Sequence, residues 1–281
     1  MRKMHPKLSL YNPPSKAIKS YREMIDLAAA LGLSYLEAFS MFELSEPDEN
    51  AARKLRAHAD SRGVRFSCLS VFADLVGDEQ AFFEERLVHY ARVAQILGSP
   101  FLHHTVAPRF LYAKESEESR KTAFETGVLS VRRVFDEARE IGVRTVFEDQ
   151  AFLFNGVWRY GAFLSAVERE VGVVADFGNI FQVDERITPF LQKFASRVVH
   201  VHLKDMKTVS SPEGSLSTLS GGFVQECDLG DGEVEFASAL SVLKEAGYDG
   251  IFSVERHAYE TDVDLAPQFA FAESRLLQAG F

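Results

Sequence analysis

The segment that decides the fold is VVHVHLKD at residues 198–205, in which apolar and polar side chains alternate before a lysine and an aspartate. This pattern predicts a buried strand, because β-branched residues favour strands and polar residues mark the end of the run. Three further segments have the same form, an apolar strand that ends in a carboxylate. They are TVFE (residues 145–148), VVAD (173–176) and IFSVE (251–255).

The rest of the chain repeats this pairing of a short strand with a helix. Eight strand segments alternate with eight helical segments over the 281 residues, and most helices are followed by a glycine, such as Gly63, Gly142 and Gly172. Glycine is typical of the left-handed position that ends a helix. The alternation predicts an α/β fold in which residues 1–281 form a (β/α)8 TIM barrel of a single domain. The first turn, YNPP at residues 11–14, lacks the phosphate-binding glycines of an open doubly wound sheet.

Four residues with metal-binding side chains stand at the ends of four predicted strands: Glu148, Asp176, His202 and Glu255. Because the C-terminal ends of all strands lie on one face of a barrel, we expect these side chains to converge. Three carboxylates and one imidazole suit one divalent metal ion, Mn²⁺, Mg²⁺, Co²⁺ or Zn²⁺. The sequence therefore predicts a single-metal enzyme that acts on a polar, oxygenated substrate.

Composition and charge narrow the classes of function. The hydrophobic content of 46% supports one large core, and the net charge of −10 disfavours nonspecific binding to nucleic acid or to an anionic membrane. The two cysteines, Cys68 and Cys227, are far apart, which favours reduced thiols over a disulfide framework. The charged N-terminus precedes no apolar segment of signal-peptide type. We therefore expect a cytoplasmic protein with no nucleic-acid and no membrane partner.

Three motifs in the second half of the chain resemble those of the xylose-isomerase-like TIM-barrel superfamily, which includes sugar phosphate isomerases and epimerases and AP endonuclease family 2. They are HVHLKD at residues 200–205, LGDGEVEF at 229–236 and GYDGIFSVE at 247–255. The resemblance implies that Glu148, Asp176, His202 and Glu255 hold the metal and that a small sugar or sugar derivative is the substrate. It also implies assembly as a homo-oligomer. His200 is expected one layer deeper than His202, as a core residue or as a support for the metal ligands.

The resemblance further implies that Glu148 and Glu255 are the catalytic acid and base. Removing the proton next to a ketone carbonyl gives an enediolate, which a divalent ion stabilises. Returning the proton to the other face, or to the neighbouring carbon, makes the enzyme a sugar epimerase or isomerase. The alternative is a dehydratase or lyase acting on an inosose or an oxidised sugar with the same metal site. A nuclease like the AP endonucleases and a non-catalytic sugar-binding barrel are further alternatives. Asn179 stands where many relatives carry histidine, which disfavours the nuclease.

Six residues near the predicted strand ends and in the loops after them are candidates for substrate binding: Glu37, His104, Trp158, Asn179, Lys204 and Arg256. FLHHT at residues 101–105 ends in two histidines on opposite sides of a strand, of which we expect the later one, His104, to reach the pocket. The alternatives are an ion pair for Glu37 and for Lys204, loop packing for Trp158 and a solvated loop for Arg256. Residues 208–232 form a long Ser/Gly-rich loop that is a candidate lid over the pocket.

Overall fold

Eight parallel strands form a closed barrel in the computed structural model, which describes residues 5, 7–11, 18–110, 112–256 and 264–281. The order around the barrel is β1-β11-β7-β6-β5-β4-β3-β2. The barrel strands are β1 (Leu8–Tyr11), β2 (Tyr35–Phe39), β3 (Arg65–Val71), β4 (Phe101–His104), β5 (Arg144–Glu148), β6 (Gly172–Asp176), β7 (Val198–Leu203) and β11 (Ile251–Glu255). The predicted (β/α)8 TIM barrel is confirmed. The turn residues 12–14 lie outside the described part of the chain.

Eight α-helices surround the barrel in the described residues. They are α1 (Tyr21–Ala30), α2 (Glu49–Arg62), α3 (Gln80–Leu97), α4 (Glu117–Ile141), α5 (Val157–Val167), α6 (Ile187–Phe194), α7 (Phe236–Glu245) and α8 (Leu265–Gln278). Gly63 and Gly142 end α2 and α4 with positive φ angles, as the sequence predicts. Gly172 does not have this role, because Glu168 ends α5 in the left-handed conformation and Gly172 begins β6.

The segment after β7 is not the long loop that its composition predicts. It forms a three-stranded antiparallel sheet in the order β8-β10-β9, made of β8 (Asp205–Val209), β9 (Leu216–Ser217) and β10 (Phe223–Cys227). β8 pairs with β10 over five residues, so backbone hydrogen bonds hold the segment in place. The serines and glycines that indicate a loop lie mostly in the turns between these strands. This small sheet forms one wall of the cavity at the barrel mouth.

The inside of the barrel changes from apolar to polar along the strands. Cys68, Val146 and Val174 form a buried apolar cluster, and Phe101 packs against it. Polar side chains follow two residues further along the strands, because alternate residues of a strand point to the same face. On β5 and β6 these residues are Glu148 and Asp176, so the apolar cluster supports the predicted metal ligands from below. No helix in the described residues is long and apolar enough to cross a membrane.

Candidate metal centre and substrate pocket

Four ligand-type side chains converge at the C-terminal ends of β5, β6, β7 and β11, where the sequence predicts a metal site. Single ligand atoms from Glu148, Asp176, His202 and Glu255 all lie within 4.8 Å of one another, and all four residues are buried. Strand register brings two of them to the same level, because Asp176 pairs directly with His202. Glu148 pairs with Val174, two residues before Asp176, and Glu255 lies two residues beyond Ser253, which pairs with His202. By register, the two glutamates therefore approach from the levels below and above Asp176 and His202.

The imidazole of His202 is oriented with Nδ1 toward the centre of this group. Nδ1 lies 2.6 Å from Glu148 Oε1, 3.2 Å from Glu255 Oε2 and 3.7 Å from Asp176 Oδ2. On the opposite side of the ring, Nε2 lies 3.1 Å from Glu37 Oε1. A carboxylate on the outer nitrogen is the usual partner of a metal-binding histidine, because it fixes the tautomer and the ring orientation.

Glu37 is fully buried and lies beneath the four ligands, not in the pocket. Its Oε2 accepts hydrogen bonds from His200 Nε2 (2.6 Å) and Ser253 Oγ (2.6 Å), and its Oε1 accepts from Ser70 Oγ (2.7 Å) as well as from His202. Burial alone would raise the pKa of Glu37, but the imidazoles of His202 and His200 outweigh burial and hold this pKa well below the usual range. The expected substrate contact of Glu37 is therefore wrong, and the alternative of an ion pair inside the barrel mouth is the one found.

Asp176 is fixed by its own backbone environment and by a lysine. Its Oδ1 accepts from the backbone N–H groups of Gly178 (2.7 Å) and Asn179 (2.8 Å). Its Oδ2 lies 2.7 Å from Lys204 Nζ, which also lies 3.3 Å from Glu255 Oε1. Burial would raise the pKa of Asp176, but Lys204 and His202 more than compensate and lower it. Lys204 is thus within the acidic cluster rather than in a surface ion pair.

The acidic cluster favours bound positive charge. Burial, together with the nearby charges of Asp176 and Glu255, raises the pKa of Glu148 to about 7, although His202 acts in the opposite direction. Burial would lower the pKa of His202, but Glu37 and Glu148 raise it well above its usual value. Glu148 and His202 therefore both hold a proton more tightly than the free side chains do. A divalent cation would satisfy the same charges, and three oxygen ligands with one nitrogen ligand fit such an ion.

A cavity of about 550 Å³ opens above this cluster. Glu148, Glu255 and Lys204 contribute to its lining beside the predicted metal centre. Aromatic side chains, Tyr11, Phe39 and Phe72, contribute an apolar part of the wall. Residues of β4 and the loop after it, other polar side chains and the small sheet complete the lining: His103, Thr105, Pro108, Gln150, Asn179, Met206, Gly214, Ser215, Leu216, Val224, Gln225 and Glu226. A mixed surface of this kind, with one aromatic side and several hydrogen-bonding groups, suits a polyhydroxylated ring or chain.

Two of the six predicted substrate contacts lie in this cavity. Asn179 follows β6 and lines the cavity, and its backbone carbonyl accepts from Asn155 Nδ2 at 2.9 Å. Lys204 follows β7 and lines the cavity while pairing with Asp176 and Glu255. These positions are consistent with substrate binding, which remains a prediction for both residues.

His104 points away from the cavity, and its neighbour His103 lines it instead. Phe101 faces the apolar cluster inside the barrel, so the two-residue period of a strand places His103 inside as well. His104 packs edge-on against Phe147 with a centroid distance of 4.7 Å, on the helix side of the strand. The expectation for His104 is wrong because the phase of β4, and not nearness to the strand end, decides which histidine faces the cavity. The inward position of Phe101 was the signal that identifies His103.

Trp158 and Arg256 also lie elsewhere than predicted. Trp158 is 76% exposed on α5, because the helix begins at Val157 rather than after a loop. Arg256 pairs with Glu226 Oε1 at 3.0 Å and with Asp228 Oδ1 at 3.1 Å, so it joins β11 to the small sheet. Glu226, the partner of Arg256, lines the cavity. No sequence motif indicated that Glu226 would lie there.

Asp205, next to Lys204, fixes the loop that precedes α7. Its two carboxylate oxygens accept from four backbone N–H groups, those of Met206 (2.9 Å), Gly230 (2.8 Å), Gly232 (3.1 Å) and Val234 (3.2 Å). Gly232 has no room for a side chain, since an added Cβ would lie 2.1 Å from Asp205 Oδ1. This contact explains in physical terms why an aspartate after β7 and a GDG sequence occur together.

The fold agrees with the comparison to known families. Residues 25–276 match the family model of the xylose isomerase-like TIM barrel, and the chain belongs to this family. It is 30% identical over 120 residues to an inosose dehydratase from Yersinia enterocolitica, which covers 39% of this chain and 38% of that protein. It is 33% identical over 109 residues to an inosose dehydratase from Bacillus thuringiensis, covering 36% and 35%. These matches span less than two fifths of the length of each relative.

Solved structures share the fold at low sequence identity. A xylose isomerase domain protein from Planctomyces limnophilus has a TM-score of 0.77 at 18% identity, covering 98% of this chain and 97% of that chain. A xylose isomerase-like TIM barrel protein from Mycobacterium smegmatis, in complex with magnesium, has a TM-score of 0.73 at 16% identity, covering 99% of both. D-Psicose 3-epimerase from Clostridium cellulolyticum H10, with D-tagatose, has a TM-score of 0.74 at 17% identity, covering 97% and 98%.

Proposed function

We propose that this protein is a metal-dependent enzyme that removes a proton next to the carbonyl of an uncharged, polyhydroxylated ketone, with an inosose as the first substrate to test. The observation that carries the proposal is the convergence of Glu148, Asp176, His202 and Glu255 at the wall of a polar cavity. The names of the sequence relatives, inosose dehydratases, support the choice of substrate.

The four converging side chains would hold one divalent ion. When bound, the ion supplies Lewis-acid polarisation of a substrate carbonyl, which makes the neighbouring C–H more acidic. His202 would present Nδ1 to the ion while Glu37 accepts the hydrogen bond from Nε2. Mg²⁺, Mn²⁺, Co²⁺ and Zn²⁺ all suit this mixed set of oxygen and nitrogen ligands.

Glu148 and Glu255 are the proposed acid and base. They come from β5 and β11, on either side of β6 and β7, so their carboxylates approach the cavity from different directions. One carboxylate removes the proton next to the carbonyl, and the other holds a proton for delivery to an oxygen or a carbon atom. In the metal-free site the pKa of Glu148 is raised to about 7 by burial and by its acidic neighbours, and a bound cation would lower it.

Two outcomes follow from the same first step. In dehydration, the C–H bond breaks and the hydroxyl on the next carbon leaves with the delivered proton as water, so a carbon–carbon double bond forms. In epimerisation, a proton returns to the same carbon from the opposite face. We place dehydration first because the sequence relatives are inosose dehydratases, and epimerisation second because a D-psicose 3-epimerase shares the fold.

The charge of the cavity wall favours a substrate without phosphate or carboxylate groups. Among the described residues that line it, three are glutamates, namely Glu148, Glu226 and Glu255, and one is a cation, Lys204. Lys204 is already paired with Asp176 and Glu255. The described lining therefore offers no unpaired cationic side chain to a phosphate or carboxylate group, which favours a neutral cyclitol or ketose.

The test is the fate of an inosose incubated with the purified, metal-loaded protein in D₂O. Mass spectrometry that finds loss of one water supports dehydration, and incorporation of one deuterium without water loss supports epimerisation. Glu148→Gln and Glu255→Gln should abolish deuterium uptake while the circular dichroism spectrum stays that of the wild type. Glu84→Gln is the matched control, because Glu84 is a buried glutamate on α3 that is bonded to Arg133 and Gln80. Normal exchange in both active-site variants would refute the two-carboxylate mechanism.

A further inference from the structure

His103 presents to the cavity a ring nitrogen that has no hydrogen-bond partner in the described part of the chain. The residue is 3% exposed, and its Nε2 is buried without a partner among the described residues. Nε2 lies 3.9 Å from Glu148 Oε2, too far for a hydrogen bond but directly beside the predicted metal centre. An unpaired buried nitrogen costs free energy, so its position at a cavity wall indicates a partner from the ligand.

A chain of hydrogen bonds behind the ring decides whether Nε2 of His103 is a donor or an acceptor. The carboxylate of Glu37 is surrounded by the donors His202, His200 and Ser253. The single hydroxyl hydrogen of Ser70 is therefore donated to Glu37 Oε1, which lies 2.7 Å away. Ser70 Oγ can then only accept from His103 Nδ1, which lies 2.9 Å away. Nδ1 of His103 therefore carries the ring hydrogen, and Nε2 is left as a bare lone pair.

We propose that Nε2 of His103 is a fixed acceptor for one hydroxyl group of the substrate, and that this contact selects a hydroxyl-bearing carbon at that position. The proposal rests on the proposed function, since it assigns a recognition residue in the same cavity. A ketone, ether or deoxy carbon at this position has no hydrogen to donate and leaves the lone pair unpaired. A proton on Nε2 would have no acceptor among the described residues, since Glu148 Oε2 lies 3.9 Å away.

The tautomer can be measured without any substrate. Nitrogen-15 NMR of the protein as purified, labelled at histidine, distinguishes a protonated from a bare ring nitrogen, and the His103→Gln variant identifies the signals of His103. We expect a protonated Nδ1 and a bare Nε2. A protonated Nε2, or a doubly protonated ring, overturns the proposal whatever the enzyme acts on.

Recognition is tested with inososes that each lack one hydroxyl. In the wild type, the analogue without the recognised hydroxyl should lose at least about tenfold in kcat/KM relative to the parent, as expected for a lost hydrogen bond in a buried site. In His103→Leu the parent inosose and the same analogue should have equal kcat/KM, because neither can bond to the leucine. His103→Gln should restore part of the difference between the two substrates through its amide oxygen. His104→Gln is the control, because His104 faces the opposite side of β4.

The outcomes separate this proposal from the function on which it rests. A wild type that is inactive on every inosose contradicts the proposed substrate, and the NMR result still decides the polarity of Nε2. Activity in the wild type with the same discrimination in His103→Leu overturns the recognition role. Metal content that falls in His103→Leu also overturns it, because His103 would then be a metal ligand.

Discussion

Replacing Glu37 by glutamine removes one oxygen acceptor beneath the proposed metal ligands without changing the size of the side chain. The carboxylate of Glu37 accepts from His202, His200, Ser70 and Ser253, and the four donors leave no position for an NH₂ group. If the amide oxygen of glutamine faces His202, its NH₂ group faces His200 and Ser253. In either orientation of the amide, His202 loses its charged partner and the NH₂ group of glutamine points at other buried donors.

The expected changes in metal affinity and in folding stability follow from these contacts. Loss of the carboxylate partner of a metal-binding histidine typically weakens metal affinity 10- to 100-fold, or about 1.4–2.8 kcal/mol. A buried donor that faces other donors costs about 1–3 kcal/mol of folding stability. Glu37→Gln should therefore show both a higher Kd for the metal and a lower free energy of unfolding.

The assay is a competition for Zn²⁺ or Mn²⁺ between the protein and a chromophoric chelator, with urea unfolding of the metal-free protein in parallel. Glu84→Gln is the control, because it removes a buried carboxylate that is hydrogen-bonded far from the cavity. It should lose stability and keep the wild-type metal affinity. A Glu37→Gln protein with wild-type metal affinity would refute the argument that Glu37 orients His202.

Three further predictions use the same structure. Metal affinity should fall by more than about tenfold per pH unit below about pH 7, because Glu148, whose pKa is raised to about 7, and His202, whose pKa is raised well above its usual value, must both lose a proton to bind a cation. Calorimetry in two buffers would detect the released protons. A metal at 100 times its Kd should raise the free energy of unfolding by about 2.7 kcal/mol in wild type and by much less in Asp176→Ala, as read from thermal unfolding. Asp205→Ala should destabilise the protein by about 1–3 kcal/mol, since four backbone N–H groups lose their acceptor, and urea unfolding should show this with no change in metal affinity.

The barrel and the four converging ligands could be predicted because they depend on local patterns. A strand run that ends in a carboxylate or histidine identifies both the strand and its C-terminal end. Barrel closure then brings those ends together whatever the details of each loop. Glu148, Asp176, His202 and Glu255 are the outcome, each at the inward position that its strand predicts.

The remaining contacts depend on features that the sequence expresses weakly. His103 and His104 differ only in the phase of a four-residue strand, which was fixed by the packing of Phe101 inside the barrel. Trp158 lies on α5 and not in the loop after β5, because the helix already begins at Val157. The small sheet that follows β7 is held by pairing between β8 and β10, and such long-range pairing leaves little trace in Ser- and Gly-rich sequence.

The most direct test of the central claim is the metal content of the protein purified without chelator, measured by elemental mass spectrometry beside His202→Gln. The account predicts about one divalent ion per wild-type chain and a much lower content in the variant, because His202 supplies the single nitrogen ligand of the four. A wild-type protein that contains no divalent ion and takes up none on loading would contradict it. Equal metal content in the variant and the wild type would place the ion elsewhere.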